Sequence, residues 1–393
     1  MRILLVSSQI IPHVGGLSTH FQLLERTLGK SGTLSGAVTG GDIHFGLVQR
    51  LGLGLSRLAN ADVGRATILD ASLRRLSDKL QILLKGSEIP DVIHCHDALA
   101  CVAAHQAVRS AAVSVPVVQT VHGPASREAL MGGAAPGGAH VSCIRRLEED
   151  AFGSATHLVA VDHGQAEILA ADFRVPPERI TVIPNGIDAA ATAALSERPS
   201  PLVLREPYFL VPRRLVKKNG VEVALRAIAR LDSTTVLAIA GDGPLRRDLE
   251  RIAAALNIVD RVRFLGKLPP AVLLPLMRGA LGVVIPSVPV DGVVEATSLA
   301  ALEGMACGTP ILVSDIGGLH EIVSHARVGF LFAAGDEAAL ASTMRGLEVM
   351  PAGELAALRH RTRLGVGVFD VHHWSTAINT VYRHTLDARN ALA

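Results

Sequence analysis

Cysteine is scarce in this chain: four residues in 393, Cys95, Cys101, Cys143 and Cys307, with neither a paired spacing nor a metal-finger pattern. That excludes a small disulfide-built secreted scaffold and leaves reduced thiols in a cytoplasmic protein as the expectation. Aromatic residues make up only 3% of the chain, so no stacking platform for single-stranded nucleic acid is available. Net charge is +2, with the basic residues scattered, and the basic stripe that neutralises a phosphate backbone is missing. Long apolar runs are also absent; none approaches the roughly 18–20 residues of a membrane span. The opening run Met1–Val6 is too short for a secretion signal and leads into polar Ser7-Ser8-Gln9, so it reads as a buried first strand. These absences describe a soluble cytoplasmic chain without nucleic-acid partners, for which peripheral membrane contact and oligomeric state stay open.

What is present is apolar residue in quantity, 49% of the total, enough for more than one core. Short β-branched runs alternate with helical patterns, the sequence form of stacked βαβ units with parallel sheets. In the first half, strands are expected at Ile3–Ser7, Leu34–Val38, Val92–His94, Val115–Val121, Leu158–Val161 and Ile180–Ile183. Helical spacing occupies Leu17–Leu28, Leu99–Arg109 and Ile144–Phe152. The Leu- and Arg-rich stretch Gly46–Lys85 contains an amphipathic segment, Leu73–Leu84, read as a helix covering the sheet in preference to a membrane contact. A second series follows at Tyr208–Val211, Thr235–Ala240, Val262–Leu265, Leu281–Ile285 and Ile311–Val313. The chain is therefore divided into an N-terminal Rossmann-like domain (1–190), an Ala/Ser/Pro-rich connection (191–206), a C-terminal Rossmann-like domain (207–370) and a terminal helix (371–393) able to cross back to the first domain. Ligands of such sheets lie beyond the carboxyl ends of the strands, so the polar residues after each strand carry most of the information.

The first strand runs into a loop ending in Gly15-Gly16 at a helix start, where backbone amides can approach a phosphate, or where a tight turn simply needs glycine. His94 and His96 share one face of the strand that ends in Asp97. A metal site is conceivable there, but no further ligand cluster is visible, and histidines oriented by local hydrogen bonds are the preferred reading. His122-Gly123 closes the next strand, where an imidazole can hydrogen-bond a hydroxyl.

In the second half, Arg214-Leu215-Val216-Lys217-Lys218-Asn219-Gly220 gathers cations in one loop, either a solvated turn or a cradle for a diphosphate. Gly241-Asp242-Gly243-Pro244 follows the next strand, and Pro244 suits the first position of a helix. Most specific is the run from Glu295 to Pro310: Thr297 and Ser298 are candidate caps of a helix carrying Glu303, and Glu295 precedes its free amides. Glu303 interrupts an apolar helix, where an unpartnered carboxylate costs several kcal/mol. Ribose hydroxyls would satisfy it, as would solvent or an arginine.

With these residues in view, the chain resembles the retaining glycosyltransferases of family 4, nearly end to end. The resemblance rests on Gly15-Gly16, Asp91–His96, His122-Gly123, Ile183–Asp188, Arg214-Leu215-Val216, Gly241–Pro244, Val262–Gly266, Pro286-Ser287 and the Glu295/Glu303 pair. It implies an α/β GT-B fold of two facing Rossmann-like domains with an interdomain cleft, and transfer of a sugar from a nucleoside-diphosphate sugar to an acceptor hydroxyl. Glu295, Arg214, Lys218 and His122 would be the catalytic residues: Glu295 and His122 on the sugar, Arg214 and Lys218 on the departing diphosphate. Gly16, Asn185, Gly243, Ala296, Thr297, Ser298 and Leu299 would surround the donor, and Glu303 would hold its ribose. The family's chemistry is metal-independent, proceeds by front-side attack, and agrees with the lack of an Asp-x-Asp motif here; neither cofactor nor metal is expected.

Three departures qualify the match. Where the family often has lysine immediately before the glycine of the Arg-Leu-Val loop, this chain has Asn219, with Lys218 one residue earlier. The glycine-rich stretch after the first Glu is replaced by Ala296-Thr297-Ser298, and the strand ending at Val161 continues into Asp162-His163 where serine is common. Competing readings are a nucleotide-sugar epimerase using His94, His96 and His122, a non-catalytic sugar-nucleotide binder, and a dinucleotide-dependent oxidoreductase. The first two are disfavoured by the presence of Arg214 and Glu295, the last by the lack of a G-x-G-x-x-G turn. Donor sugar, base and acceptor are not encoded legibly; the stretches Gly41–Lys85 and Met131–His140 are where acceptor contacts are expected.

Overall fold

A computed structural model describes residues 1–13, 15–43 and 60–392 and divides them into two compact units. The first comprises Met1–Pro184 with Trp374–Ala393, the second Asn185–His373.

In the first unit, β1 (Ile3–Val6), β2 (Leu34–Val38), β3 (Val92–Cys95), β4 (Val117–Val121), β5 (His157–Ala160) and β6 (Ile180–Val182) form one parallel sheet in the order β2-β1-β3-β4-β5-β6. Strands β1, β3, β4 and β5 are buried throughout their length because helices cover both faces, and their unbroken apolar runs follow from that. The helix Ala61–Leu84, capped by Asn60, buries Leu76, Leu80 and Leu84 at one-turn spacing in the core of this unit, as a sheet-covering helix should. Residues 46–59 of the expected Gly46–Lys85 segment lie outside the described residues.

The second unit repeats the plan with β7 (Tyr208–Val211), β8 (Val236–Ala240), β9 (Val262–Gly266), β10 (Gly282–Ile285), β11 (Ile311–Ser314) and β12 (Phe330–Phe332), ordered β12-β11-β10-β7-β8-β9. Alternate residues divide between two cores. Leu210, Ala238, Val283 and Val313 enter one, while Phe209, Leu237, Val284 and Leu312 enter the other. Each sheet reverses its winding between two adjacent strands, β1 and β3 in the first unit, β7 and β10 in the second. Ligand sites of open α/β sheets lie beyond the carboxyl ends of the strands at such a reversal.

Three expectations are corrected. The stretch after residue 190 is not wholly irregular: Ala189–Ser196 is a helix of the second unit, started by Asp188, whose carboxylate accepts from the Ala191 amide at 2.9 Å. Its alanines have high helix propensity despite their weak periodicity. Pro244 does not open a helix, since the following one spans Arg246–Ala255 after Leu245. Strand β12 was not anticipated; Phe330-Leu331-Phe332 is three residues long and flanked by glycine, too short for its alternation to register. Among the described residues, no helix is long and apolar enough to cross a membrane.

Candidate active site

At the switch point of the first unit, Asp97 ties two strand ends together. Its carboxylate accepts from the Ser7 hydroxyl at 2.9 Å, the Ser8 amide at 2.7 Å and, as helix cap, the Ala100 amide at 2.9 Å. Gly16 opens the helix Gly16–Lys30, and a Cβ placed on it would meet nothing within 4 Å, so its amide is approachable.

The histidines around this point come from separate elements. His94 Nδ1 lies 2.6 Å from the Tyr382 hydroxyl and Nε2 2.8 Å from the Thr120 hydroxyl, the local orientation expected from the sequence. His96 is different: both of its ring nitrogens are buried without a hydrogen-bond partner, as is Nε2 of His122. His20, from the first helix, meets both, with ring centroids 5.2 Å from His96 and 4.8 Å from His122. A ring nitrogen from each of the three lies within 4.8 Å of the others, the one grouping among the described residues able to hold a metal ion. Burial drives His94, His96 and His122 toward neutrality, with further lowering from neighbouring imidazoles: His94 to about 3, His96 and His122 well below the usual histidine value. The sequence showed His94 and His96 as a pair; the larger cluster needs the helix and β4 to be folded against them. Asp162 caps the helix His163–Phe173 by accepting from the Gln165 amide at 2.7 Å, a structural reason for aspartate at that position.

In the second unit the loop after β7 meets the loop after β10. Arg213, not its neighbour Arg214, turns inward. Its Nη2 lies 2.7 Å from Glu295 Oε1, 2.6 Å from Asn219 Oδ1 and 3.1 Å from Ser287 Oγ, and its Nη1 is 3.3 Å from Ser298 Oγ. Both members of the Arg213–Glu295 pair are about nine-tenths buried, with side-chain exposures of 10% and 12%. Arg214 is exposed and Lys218 half-buried; the Arg214 carbonyl accepts from Asn219 Nδ2 at 2.8 Å. Sequence reading had passed over Arg213 and Ser287 as individual residues; an arginine doublet does not say which member faces in.

Glycines let these loops approach one another. A Cβ on Gly220 would lie 1.8 Å from the Pro286 carbonyl oxygen, and one on Gly243 would lie 2.5 Å from the Leu215 carbonyl oxygen, so both positions require glycine. Gly243 thus has a packing role in shaping the arginine loop. Asn185 is buried, and its Nδ2 donates to the Thr297 carbonyl at 3.1 Å, while the Gly318 amide donates to the Glu295 carbonyl at 3.1 Å. These two bonds brace the segment Glu295-Ala296-Thr297-Ser298 ahead of the helix Leu299–Ala306. The expected side-chain cap is corrected here: Ser298 occupies the cap position but bonds no helix amide, because its hydroxyl accepts from Arg213 instead. On the same helix, burial pushes the Glu303 carboxyl up to about 7. It is poised to ionise fully once hydrogen-bond donors reach it. A depression of about 400 Å³ bounded by Ala189, Glu197, Ala306 and Arg363 contains none of these groups.

Two parallel-sheet Rossmann-like units, one with an Arg/Glu cluster beside a helix N-terminus at its switch point, define a GT-B glycosyltransferase. Solved structures share the fold: sucrose-phosphate synthase from Thermosynechococcus elongatus (TM-score 0.73, 18% identity, 99% of this chain and 100% of that one) and Anabaena HepE in complex with UDP (0.69, 18%, 98% and 100%). Residues 14–191 match the family described as Glycosyltransferase Family 4, and residues 195–363 match Glycosyl transferases group 1. A glycogen synthase of Mycobacterium tuberculosis is 33% identical over 297 residues, 75% of this chain and 68% of the relative. A D-inositol 3-phosphate glycosyltransferase of Acidothermus cellulolyticus is 30% identical over 329 residues, 77% and 69%. The chain belongs to the family 4, group 1 glycosyltransferases, enzymes that use a nucleotide sugar as donor.

Proposed function

We propose that this glycosyltransferase transfers its sugar with retention of anomeric configuration, without a metal ion, to a polyol or saccharide hydroxyl. The observation that supports this reading most is the convergence at the β7/β10 switch point: the Arg213 guanidinium lies within hydrogen-bond reach of both the Glu295 carboxylate and the Ser298 hydroxyl at a helix N-terminus, with Arg214 exposed in the same loop. Such a site is rich in donors for a departing diphosphate and has its charge supplied by side chains. The bond from the anomeric carbon to the diphosphate oxygen breaks, with its electron pair leaving on the diphosphate. The acceptor oxygen bonds to the same face of that carbon, and its proton passes to the departing phosphate. Arg214 and Lys218 neutralise the leaving group, assisted by the amides of Ala296–Leu299. Glu295 accepts from sugar hydroxyls and Glu303 from the ribose. In the first unit, His122 is held neutral by burial, which suits its imidazole to bond a hydroxyl without adding charge.

The names of the relatives (glycogen synthase, D-inositol 3-phosphate glycosyltransferase and, at 28% identity over 243 residues, a 2-deoxystreptamine glucosyltransferase of Streptomyces kanamyceticus) support a polyhydroxylated acceptor. Four buried free thiols support a reducing, cytoplasmic setting. The test is incubation with UDP-, GDP- and ADP-glucose against an α-glucan, inositol 3-phosphate and 2-deoxystreptamine, with products assigned by NMR. An α-linked product formed equally fast in the presence of a chelator is expected. A β-linked product sinks the retaining reading, and complete, metal-reversible loss under chelation sinks the metal-free one.

A further inference from the structure

Asn219 stands where a lysine would place a cation beside Gly220, yet the site it faces is not short of positive charge. The Arg213 guanidinium lies 2.6 Å from the Asn219 side-chain oxygen, so an arginine six residues upstream returns charge to that position. We propose that Arg213 is a catalytic residue of this chain: a further diphosphate-binding cation, beside Arg214 and Lys218, that supplies the charge a lysine at 219 would bring.

The argument rests on where the guanidinium sits and what it lacks. It reaches the Ser298 hydroxyl at the start of the helix Leu299–Ala306, the end at which a helix presents its amides and positive dipole to an anion. A cation there is unfavourably placed unless negative charge accompanies it. Glu295, at 2.7 Å, supplies one carboxylate. A diphosphate carries more negative charge than that and suits the three elements together: helix amides, Arg213 and Arg214. Arg213 also has an unmet demand, because its Nε–H is buried without an acceptor although the side chain is about nine-tenths enclosed. Buried charged donors are rarely left unpaired, and a ligand oxygen is the acceptor this one lacks. When sugar hydroxyls engage Glu295, its hold on the guanidinium weakens, and Arg213 stays tethered through Ser287 and Asn219 at the position the phosphates reach. As the sugar–oxygen bond breaks, the charge gathering on the diphosphate is then met by Arg213 as well as by Arg214 and Lys218.

This inference rests on the donor-binding reading above, and the experiment separates the two. Affinities of wild type, Arg213→Gln, Arg213→Lys and the double variant Arg213→Gln/Asn219→Lys are measured for UDP, GDP and ADP and for the parent nucleosides. The diphosphate-to-nucleoside affinity ratio is the readout, with kcat for whichever glucose donor turns over. Arg213→Gln is expected to lower that ratio about tenfold to a hundredfold, the range of a charged hydrogen bond, and kcat with it, while nucleoside affinity holds. Arg213→Lys retains part of the ratio, and Asn219→Lys in the Gln background restores most of it. A wild-type protein that binds none of the three diphosphates overturns the donor reading and this inference with it. Tight wild-type binding with an unchanged ratio in Arg213→Gln overturns this inference alone. So does a loss confined to kcat that Asn219→Lys leaves unrepaired, the pattern of an arginine that only orients Glu295. Thermal melts of each variant identify misfolding, and a folded Arg213→Lys protein carries the test if Arg213→Gln is unstable.

Discussion

The two units share a sheet plan and a switch point, but they place opposite kinds of polar group there. In the first, burial strips histidines of charge, and His94, His96 and His122 all lie well below the ordinary imidazole range. In the second, a guanidinium and a carboxylate pair at 2.7 Å, while burial raises a further carboxyl to about 7. The contrast follows burial and pairing: imidazoles enclosed in the first unit are held neutral, whereas the guanidinium of the second keeps a carboxylate beside it. One topology accommodates both because the polar groups reside in the few residues after each strand.

The largest effect expected is at Glu295. Glu295→Gln lowers kcat about a hundredfold to a thousandfold, comparable to loss of one transition-state contact. Glu295→Ala, by leaving Arg213 buried without its counter-charge, also lowers stability by about 3–5 kcal/mol. Denaturant melts beside the kinetics check both; an alanine variant as stable as wild type means the pair is not the charged centre described here.

Arg214→Ala is expected to reduce kcat/KM by about tenfold to a hundredfold with little change in melting temperature, since the side chain is exposed. A large loss of stability with intact turnover would reverse the roles assigned to the two arginines.

Glu303 gives a pH-dependent comparison. Its folded value, about 7, lies above the unfolded one, so the ionised form burdens the folded state above pH 7, and that burden disappears as pH falls toward 4.5. Glu303→Gln should therefore melt a few degrees higher than wild type at pH 8 and equally at pH 5. Ribose hydroxyls favour the carboxylate, so wild-type nucleotide affinity rises between pH 6 and 8, while the Gln variant binds about tenfold more weakly and without that slope. Calorimetric titration at three pH values decides it; parallel slopes would remove Glu303 from the ribose.

A subtler prediction sets the units against each other. His94 is depressed to about 3, and His96 and His122 lie well below 6.5, so the stability their neutral rings allow is present above 6.5 and is lost as pH falls below it. For His94 the loss is about 1.4 kcal/mol per pH unit down to about 3. Lowering the pH from 7 to 5 should weaken hydrogen-exchange protection in the first unit, while relief at Glu303 favours the second. Equal loss in both units contradicts the neutral-histidine assignment.

Eleven of the twelve strands among the described residues were legible because a buried parallel strand is a short apolar run bounded by turn residues, a local property. The Glu295/Glu303 spacing was legible for the same reason. The helix Ala189–Ser196 escaped notice because alanine carries propensity without pattern, and β12 because three residues leave no period to read.

What the sequence determined by itself is the double winding, the family and the loops that hold the chemistry, all set by residues adjacent in the chain. Only the tertiary structure decided which of Arg213 and Arg214 turns inward, that Ser298 serves the guanidinium instead of its own helix, and that His20 joins His96 and His122. Each of these depends on partners tens of residues away, brought within hydrogen-bond or ring-contact distance by packing. A guanidinium follows the nearest carboxylate, and a buried imidazole loses its proton to the low polarity around it; neither surroundings nor neighbour is written next to the residue in the chain.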